Sequence, residues 1–489
     1  MPNLSFDKIN SFLIKALLLL CLTIFAFITW DSYLTIKEYL QIRTLISAPT
    51  IMVIALLFFV VAYTINKYMS RVVFIILLTL LAFSIRLIWI IKIPTAPLTD
   101  FALIYNGAVQ AAHGDFSFTS TGYFTSWVYQ LGFTMYEAFI IKIFGEGTFI
   151  IKLLNILYCT GTTLLVYQIT SKVFNEWSGR IAGLIYAVHI PNIMMSSVLT
   201  NQHLATFFFY LGFYLLITKG LSSKYMWIFI GITLSLGDII RPLGMLILIA
   251  VAIYIFLQGM IGRPKKTIIN SIKKLCGIFA VFYLVHYIIS FALISTGVTQ
   301  YPLSNRDPLW KFVVGLNHET SGGYSVADAE YIMSLEIGEE RTSEEKRIIK
   351  ERLSDPEKVL SLFRDKFALM WGGIDSAPLW SLTMEPTDNI NNLKDTATKY
   401  ERYMYTATML FGIVSLLYLI ATKQKNIHYT LFLLLIIGYV TVHFLIEYQT
   451  RYRYFIIPSF TIIQSYGLYI CYQLITKMKV PKQGHKVKP

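Results

Sequence analysis

Asp100 stands in the phrase Pro97-Leu98-Thr99-Asp100-Phe101, where an apolar run ends and a polar loop begins. A carboxylate at such a place can take a proton from an incoming hydroxyl or hold a metal ion. It equally suits the cap of a helix starting at Phe101, as does Thr99. Arginines close other apolar runs: Arg241 in Asp238-Ile239-Ile240-Arg241-Pro242, and Arg451 and Arg453 in Glu447-Tyr448-Gln449-Thr450-Arg451-Tyr452-Arg453-Tyr454. A guanidinium fork matches phosphate oxygens bidentately, so a lipid phosphate is a natural ligand; pairing with Asp238, Glu447 or headgroups is the alternative. The loop Leu199-Thr200-Asn201-Gln202-His203 gathers polar side chains that suit a sugar, with Asn201, Gln202 and His203 the candidates, or that satisfy two helix ends. Asp115 and Glu447 are further candidates for substrate binding, although Asp115 after Gly114 also fits a turn. No second His or Cys stands at ligand spacing from His203, so spacing indicates no metal, and Asp100 is the one residue placed to hold a divalent ion.

These residues need elements to position them. The chain has 489 residues, is 55% hydrophobic and only 14% charged, and its apolar runs are long enough to cross about 30 Å of hydrocarbon. Twelve spans are expected: 11–30, 49–65, 72–92, 150–170, 180–198, 203–218, 224–238, 242–259, 273–296, 402–421, 428–446 and 454–475. The fold class is thus all-α and polytopic. The first run lacks a small-x-small cleavage site and is expected to be an uncleaved anchor. The four cysteines, Cys21, Cys159, Cys276 and Cys471, lie inside apolar runs without CxxC spacing, which suits packing.

Net charge is +14, yet residues 297–400 hold 12 basic and 17 acidic side chains, so 30 basic face 11 acidic residues elsewhere. That excess lies along membrane edges and points to lipid headgroups, not nucleic acid. With both termini cytoplasmic, Lys67, Arg71, Lys172, Arg180, Lys219, Lys224, the cluster from Arg263 to Lys274, Lys423, Lys425 and the basic tail fall inside. Asp100, Arg241, Arg451 and the 199–203 loop then share the outer face. Counting 124–144 as a span would invert this pattern, so Trp127, Tyr129, Gln130, Glu137 and Lys142 are expected on an amphipathic helix half in the headgroups, alongside 101–113. Arg86, about two turns inside a span, is expected to snorkel.

The division that follows is 1–70, two extra N-terminal helices; 71–296, a core with an external platform loop 93–149; 297–400, a small external helical insertion with helices near 343–352 and 357–370; 401–475, C-terminal spans; and 476–489, a basic cytoplasmic tail. No repeat or low-complexity linker interrupts it. No carboxylate sits at the middle of a span, which weighs against an ion-coupled transporter.

In order and sidedness, several motifs resemble the GT-C superfamily of polyprenyl-phosphate-sugar-dependent glycosyltransferases over roughly residues 72–475. They are Thr99-Asp100-Phe101 with Gly114-Asp115-Phe116, Ser197-Val198-Leu199-Thr200-Asn201-Gln202-His203, Ile240-Arg241-Pro242-Leu243-Gly244, and Arg451-Tyr452 with Pro458. The nearest likeness is to bacterial family 39 members related to protein O-mannosyltransferases and the lipid A aminoarabinose transferase. The resemblance implies that Asp100 is the first-loop catalytic aspartate and that Arg241 and Arg451, with Arg453, serve the donor phosphate. Many relatives carry an acid where this chain has residues 200–203, so a metal cofactor is left open. The expected activity is inverting transfer of a sugar from a polyprenyl phosphate, such as undecaprenyl phosphate, to a hydroxyl of a cell-surface glycan or protein at the outer face of a bacterial plasma membrane. The alternatives are a flippase or transporter of a lipid-linked glycan, and a polysaccharide polymerase or ligase.

Overall fold

The structure, a computed structural model, describes residues 4–38, 44–422, 424 and 426–478. Lys423, Lys425 and the basic tail beyond residue 478 lie outside the described residues. No strand occurs among the described residues, as hydrocarbon demands: a helix satisfies its own backbone donors and acceptors, and an open strand does not. Six helices are long and apolar enough to cross a membrane: Lys8–Glu38, Ala48–Tyr68, Arg71–Lys92, Phe149–Val173, Lys265–Ser295 and Asp388–Ala421. The shorter apolar helices Met226–Ile240, Gly244–Gly259 and Thr430–Leu445, with Gln202–Leu215 and Ile457–Met478, fall on five more of the expected spans. Met52, Val53, Leu56 and Leu57 point outward from the second helix, the signature of a face that lipid covers.

The span expected at 180–198 is broken. Glu176–Ala187 ends, and a separate turn, Ile190–Met195, begins with Pro191 in its first positions. Proline has no N–H to continue the ladder, and His189, just before the new turn, is extended. The carbonyls freed by the break are met by Arg86, whose Nη1 donates to Ala187 O at 3.2 Å and Nη2 to Tyr186 O at 3.5 Å. Arg86 therefore does not snorkel: it is fully buried and serves as an internal cap.

The first helix, Leu4–Glu38, is not an appendage. Leu18, Cys21, Phe25 and Ile28 enter the main apolar core. Farther along it, buried Asp31 accepts both guanidinium nitrogens of Arg364, at 2.9 and 2.7 Å. The 297–400 insert comprises Trp310–Gly315, Val326–Ser334, Glu339–Arg352, Pro356–Phe367 with a π turn Ala368–Gly372, and Ala377–Ser381. Its last polar stretch belongs to the 34-residue helix Asp388–Ala421, so a boundary at 400 cuts one continuous element. Thr387 caps that helix by accepting from Ile390 N at 3.3 Å, and no proline follows to stop it.

The loop 93–149 folds as a platform. Thr99–Ala112 packs on Leu131–Phe144, and the latter, at 14 residues, is about 21 Å long. Glu137 departs from the amphipathic expectation. It is fully buried, neither oxygen has a hydrogen-bond partner among the described residues, and burial pushes its carboxyl well above the usual range. Gly132 on the same helix lies so close to the Met226–Ile240 helix that a Cβ there would stand 2.0 Å from Ile239 O. Only glycine permits this contact, two residues before Arg241.

Within the insert, Arg341 is ion-paired to Asp307, both buried, and Glu345 lies buried beside them with Oε1 unbonded. Burial, then the neighbouring Asp307, pushes Glu345 up to about 8. A carboxyl whose folded pKa is raised contributes fully below its unfolded value of about 4.3 and loses that contribution as pH rises. The window ends near 8. Amide-exchange protection of Glu339–Arg352 should therefore fall between those limits, and Glu345→Gln should flatten the profile; an equal fall in the variant would show another group is responsible.

Candidate functional site

Pro94 and Pro97 end the Arg71–Lys92 helix, and the loop they start is tied down from several sides. Thr95 Oγ1 donates to Ser381 O at 2.6 Å and lies 2.7 Å from Ser197 Oγ, while Lys152 Nζ donates to Thr95 O at 2.7 Å. The chain then passes through Thr99 at φ 47°. A β-branched residue in the left-handed region costs about 1–3 kcal/mol and persists only where its surroundings enforce it. Asp100 follows immediately. Its helix is capped at Leu98 with no side-chain bond, so neither Thr99 nor Asp100 plays the capping part. Asp100 is exposed, and its carboxylate takes no hydrogen bond or ion pair among the described residues.

Arg451 is buried at 7% exposure without a carboxylate partner among the described residues. Its guanidinium carbon lies 4.2 Å from the Trp380 ring centre, 4.9 Å from Phe101 and 5.6 Å from Tyr452. Trp380 also packs edge-on against Phe101 at 5.2 Å. One indole thus couples the arginine to the residue after Asp100.

A polar chain reaches Arg451 from the insert. Lys311 is ion-paired with Glu447, Gln449 Nε2 donates to Glu447 Oε1 at 2.8 Å, and Arg451 Nε donates to Gln449 Oε1. The backbone repeats the link, since Glu447 N donates to Lys311 O at 2.8 Å. Burial pushes the Glu447 carboxyl up, but the Lys311 charge and hydrogen bond, with Gln449, hold it below the usual range. Lys366 donates to the carbonyls of Gly315, Phe444 and Ile446, the set of acceptors an ammonium needs. Gly315 sits so close that a Cβ would meet Ile446 C at 2.2 Å.

Arg241 follows the end of the Met226–Ile240 helix, donates to Asn201 Oδ1 at 2.9 Å and faces the Tyr452 ring at 5.2 Å. It too lacks a carboxylate partner among the described residues. Tyr452 therefore stands between Arg241 and Arg451. Phenols report the common field: burial raises Tyr129, to about 12, while Lys311 and Arg241 pull against it and Asp100 adds to it. Burial likewise raises Tyr123, with Asp100 adding and Arg451 opposing. Asp100 also acts on the exposed Tyr324 of the insert.

Several expected ligand contacts are spent elsewhere. Arg453, expected at the donor phosphate, is buried, paired with Asp375 at 3.0 Å and donating to Gly373 O at 3.0 Å, so its guanidinium is engaged within the protein. Glu447 is committed to Lys311 and Gln449. His203 is buried with both ring nitrogens engaged, Nδ1 2.7 Å from Tyr454 Oη and Nε2 2.9 Å from Met195 O. Gln202 is buried as well, and Asn201 of that loop accepts from Arg241. Asp115 accepts from Ser117 N at 2.9 Å in a turn, about 20 Å along its helix and turn from Asp100. No cluster of three His, Cys, Asp or Glu residues suited to a metal lies among the described residues.

Lys311, Trp380, Gln449, Tyr123 and Tyr324 were not among the sequence candidates. The glutamine alone had a readable signal, lying two residues from Arg451. Lys311→Met leaves Glu447 buried and unpaired, which should cost about 3–5 kcal/mol of stability. Adding Glu447→Gln should restore most of the loss in thermal unfolding; no recovery would mean that the Lys311 stem, not its charge, supports the segment.

Residues 132–290, about a third of the chain, match the family described as dolichyl-phosphate-mannose-protein mannosyltransferase. No curated protein matches the chain. The matched stretch contains Asn201 and Arg241 but neither Asp100 nor Arg451. With the helical architecture, this match supports a multi-pass membrane glycosyltransferase of GT-C type.

Proposed function

We propose that the chain transfers a sugar from a polyprenyl phosphate to an acceptor hydroxyl, with inversion, in a cleft formed by Asp100, Arg241 and Arg451. The observation that carries this reading is the absence of carboxylate partners on Arg241 and Arg451 among the described residues, although both flank Tyr452. A phosphate supplies the missing anion. In the reaction the acceptor oxygen attacks the anomeric carbon as the bond from that carbon to the phosphate oxygen breaks. The hydroxyl proton passes to Asp100, and the bonding pair leaves on the phosphate, where Arg241 and Arg451 stabilise the charge. One displacement by one base inverts the anomeric centre, unlike the two-carboxylate route to retention.

The finer assignments belong to the same proposal. The chain is placed with bacterial family 39 relatives in a plasma membrane, with cytoplasmic termini and the cleft outward. The carrier is undecaprenyl phosphate, and the acceptor is a wall polysaccharide, teichoic acid or protein. The positive-inside distribution supports the orientation. Arg453 is dropped from the phosphate site because its donors are occupied.

Asp100→Asn should fold as the wild type, since the carboxylate takes no hydrogen bond or ion pair among the described residues, and should lower transfer about 10²–10⁴-fold in purified protein given a polyprenyl-phosphate sugar. Transfer at the wild-type rate would end the base assignment. A divalent ion on Asp100 is the second form of the mechanism, and activity that survives exhaustive chelation removes it.

A further inference from the structure

A polar cavity, of about 170 Å³, lies far from Asp100 and is lined by Arg71, Gln168, Ser171, Lys172, Glu176 and Tyr214. Two helices fix its place. Lys152, in the first turn of Phe149–Val173, bonds Thr95 beside the Asp100 loop, whereas Lys172 is in the last turn of the same helix. Those positions are about 30 Å apart along the axis. Arg71 and Lys92 are the two ends of the next helix over, an equal distance apart, and Lys92 is the end nearer Asp100. The cavity thus lies one hydrocarbon thickness from the first cleft, at the opposite membrane edge.

Its charges do not balance. Glu176 is the one acid lining it, and that carboxylate is shared: Arg180 Nε lies 3.2 Å from Oε1, Tyr167 Oη donates to the same oxygen at 2.7 Å, and Arg71 Nε is 3.8 Å from Oε2. Lys172 is exposed and has no ion pair among the described residues. The lining therefore carries two cations, Arg71 and Lys172, against one carboxylate that is already shared with Arg180, beside the neutral polar groups of Gln168, Ser171 and Tyr214. At a membrane edge the abundant anion is a lipid phosphate, and a fork plus a point charge is a fitting pair for it.

We propose that this cavity binds the phosphate headgroup of a membrane phospholipid, separately from the donor cleft. The acyl chains lie along the exposed apolar faces of the neighbouring helices, and the phosphate bridges Arg71 and Lys172. The site does not depend on the transfer reaction.

Native mass spectrometry of the delipidated full chain in detergent, titrated with phosphatidylglycerol or with inorganic phosphate, tests it. The wild type and Arg451→Ala should retain one phosphatidylglycerol, and Arg71→Ala/Lys172→Ala should bind it at least about tenfold more weakly. Lys172→Gln, at an exposed side chain, guards against a folding defect and should show a smaller loss in the same direction. Equal retention by wild type and both variants overturns the proposal, and so does retention of inorganic phosphate in preference to the lipid.

Discussion

The site depends on a guanidinium kept without a carboxylate partner among the described residues. Arg451 is nearly buried, and an unpaired charge at that depth is costly. The protein offsets the cost by stacking the group among Trp380, Phe101 and Tyr452 and by giving Nε a neutral acceptor, Gln449. A carboxylate in place of Gln449 would neutralise the cation. Here the nearest acid in the chain, Glu447, is withheld one step back and spent on Lys311. Arg453, two residues away, shows the other outcome: Asp375 pairs with it, and it becomes part of the frame.

Two close approaches bring the cations together. Gly132 lets the platform helix touch the backbone just before Arg241, and Gly315 lets the insert touch the backbone just before Glu447. Lys366 then laces the insert to the last carbonyls of Thr430–Leu445 and its following turn. The insert is therefore a clamp on the segment that presents Arg451. The strained Thr99 is the corresponding device on the acid's side, held by the Thr95, Ser197 and Ser381 contacts.

Hydrocarbon imposes a length and an internally bonded backbone, so eleven expected spans were legible as helices from apolar runs alone. The break at 188–189 had its signal in Pro191, but a run that is apolar on both sides hides it. Arg241 and Arg451 stood out in the sequence because arginines at the expected outer span ends run against the positive-inside tendency, and Asp100 because it opens a polar loop where an apolar run ends. What could not be read was which arginine is already paired. Asp375 and Gln449 differ in consequence only once the chain is folded, and nothing in the spacing distinguishes Arg451 from Arg453. Trp380 and Lys311 were out of reach for the same reason: their role comes from contacts across about 70 and 135 residues of chain, which no local pattern encodes.

In the proposed mechanism Arg241 and Arg451, without carboxylate partners among the described residues, hold a phosphate. Equilibrium binding of a polyprenyl phosphate to the purified chain tests it most directly, because it separates affinity from chemistry. Arg451→Ala should weaken binding by about tenfold or more, while Asp100→Asn, which touches no phosphate, should bind as the wild type does. Unchanged affinity in Arg451→Ala would show that this guanidinium does not hold the phosphate.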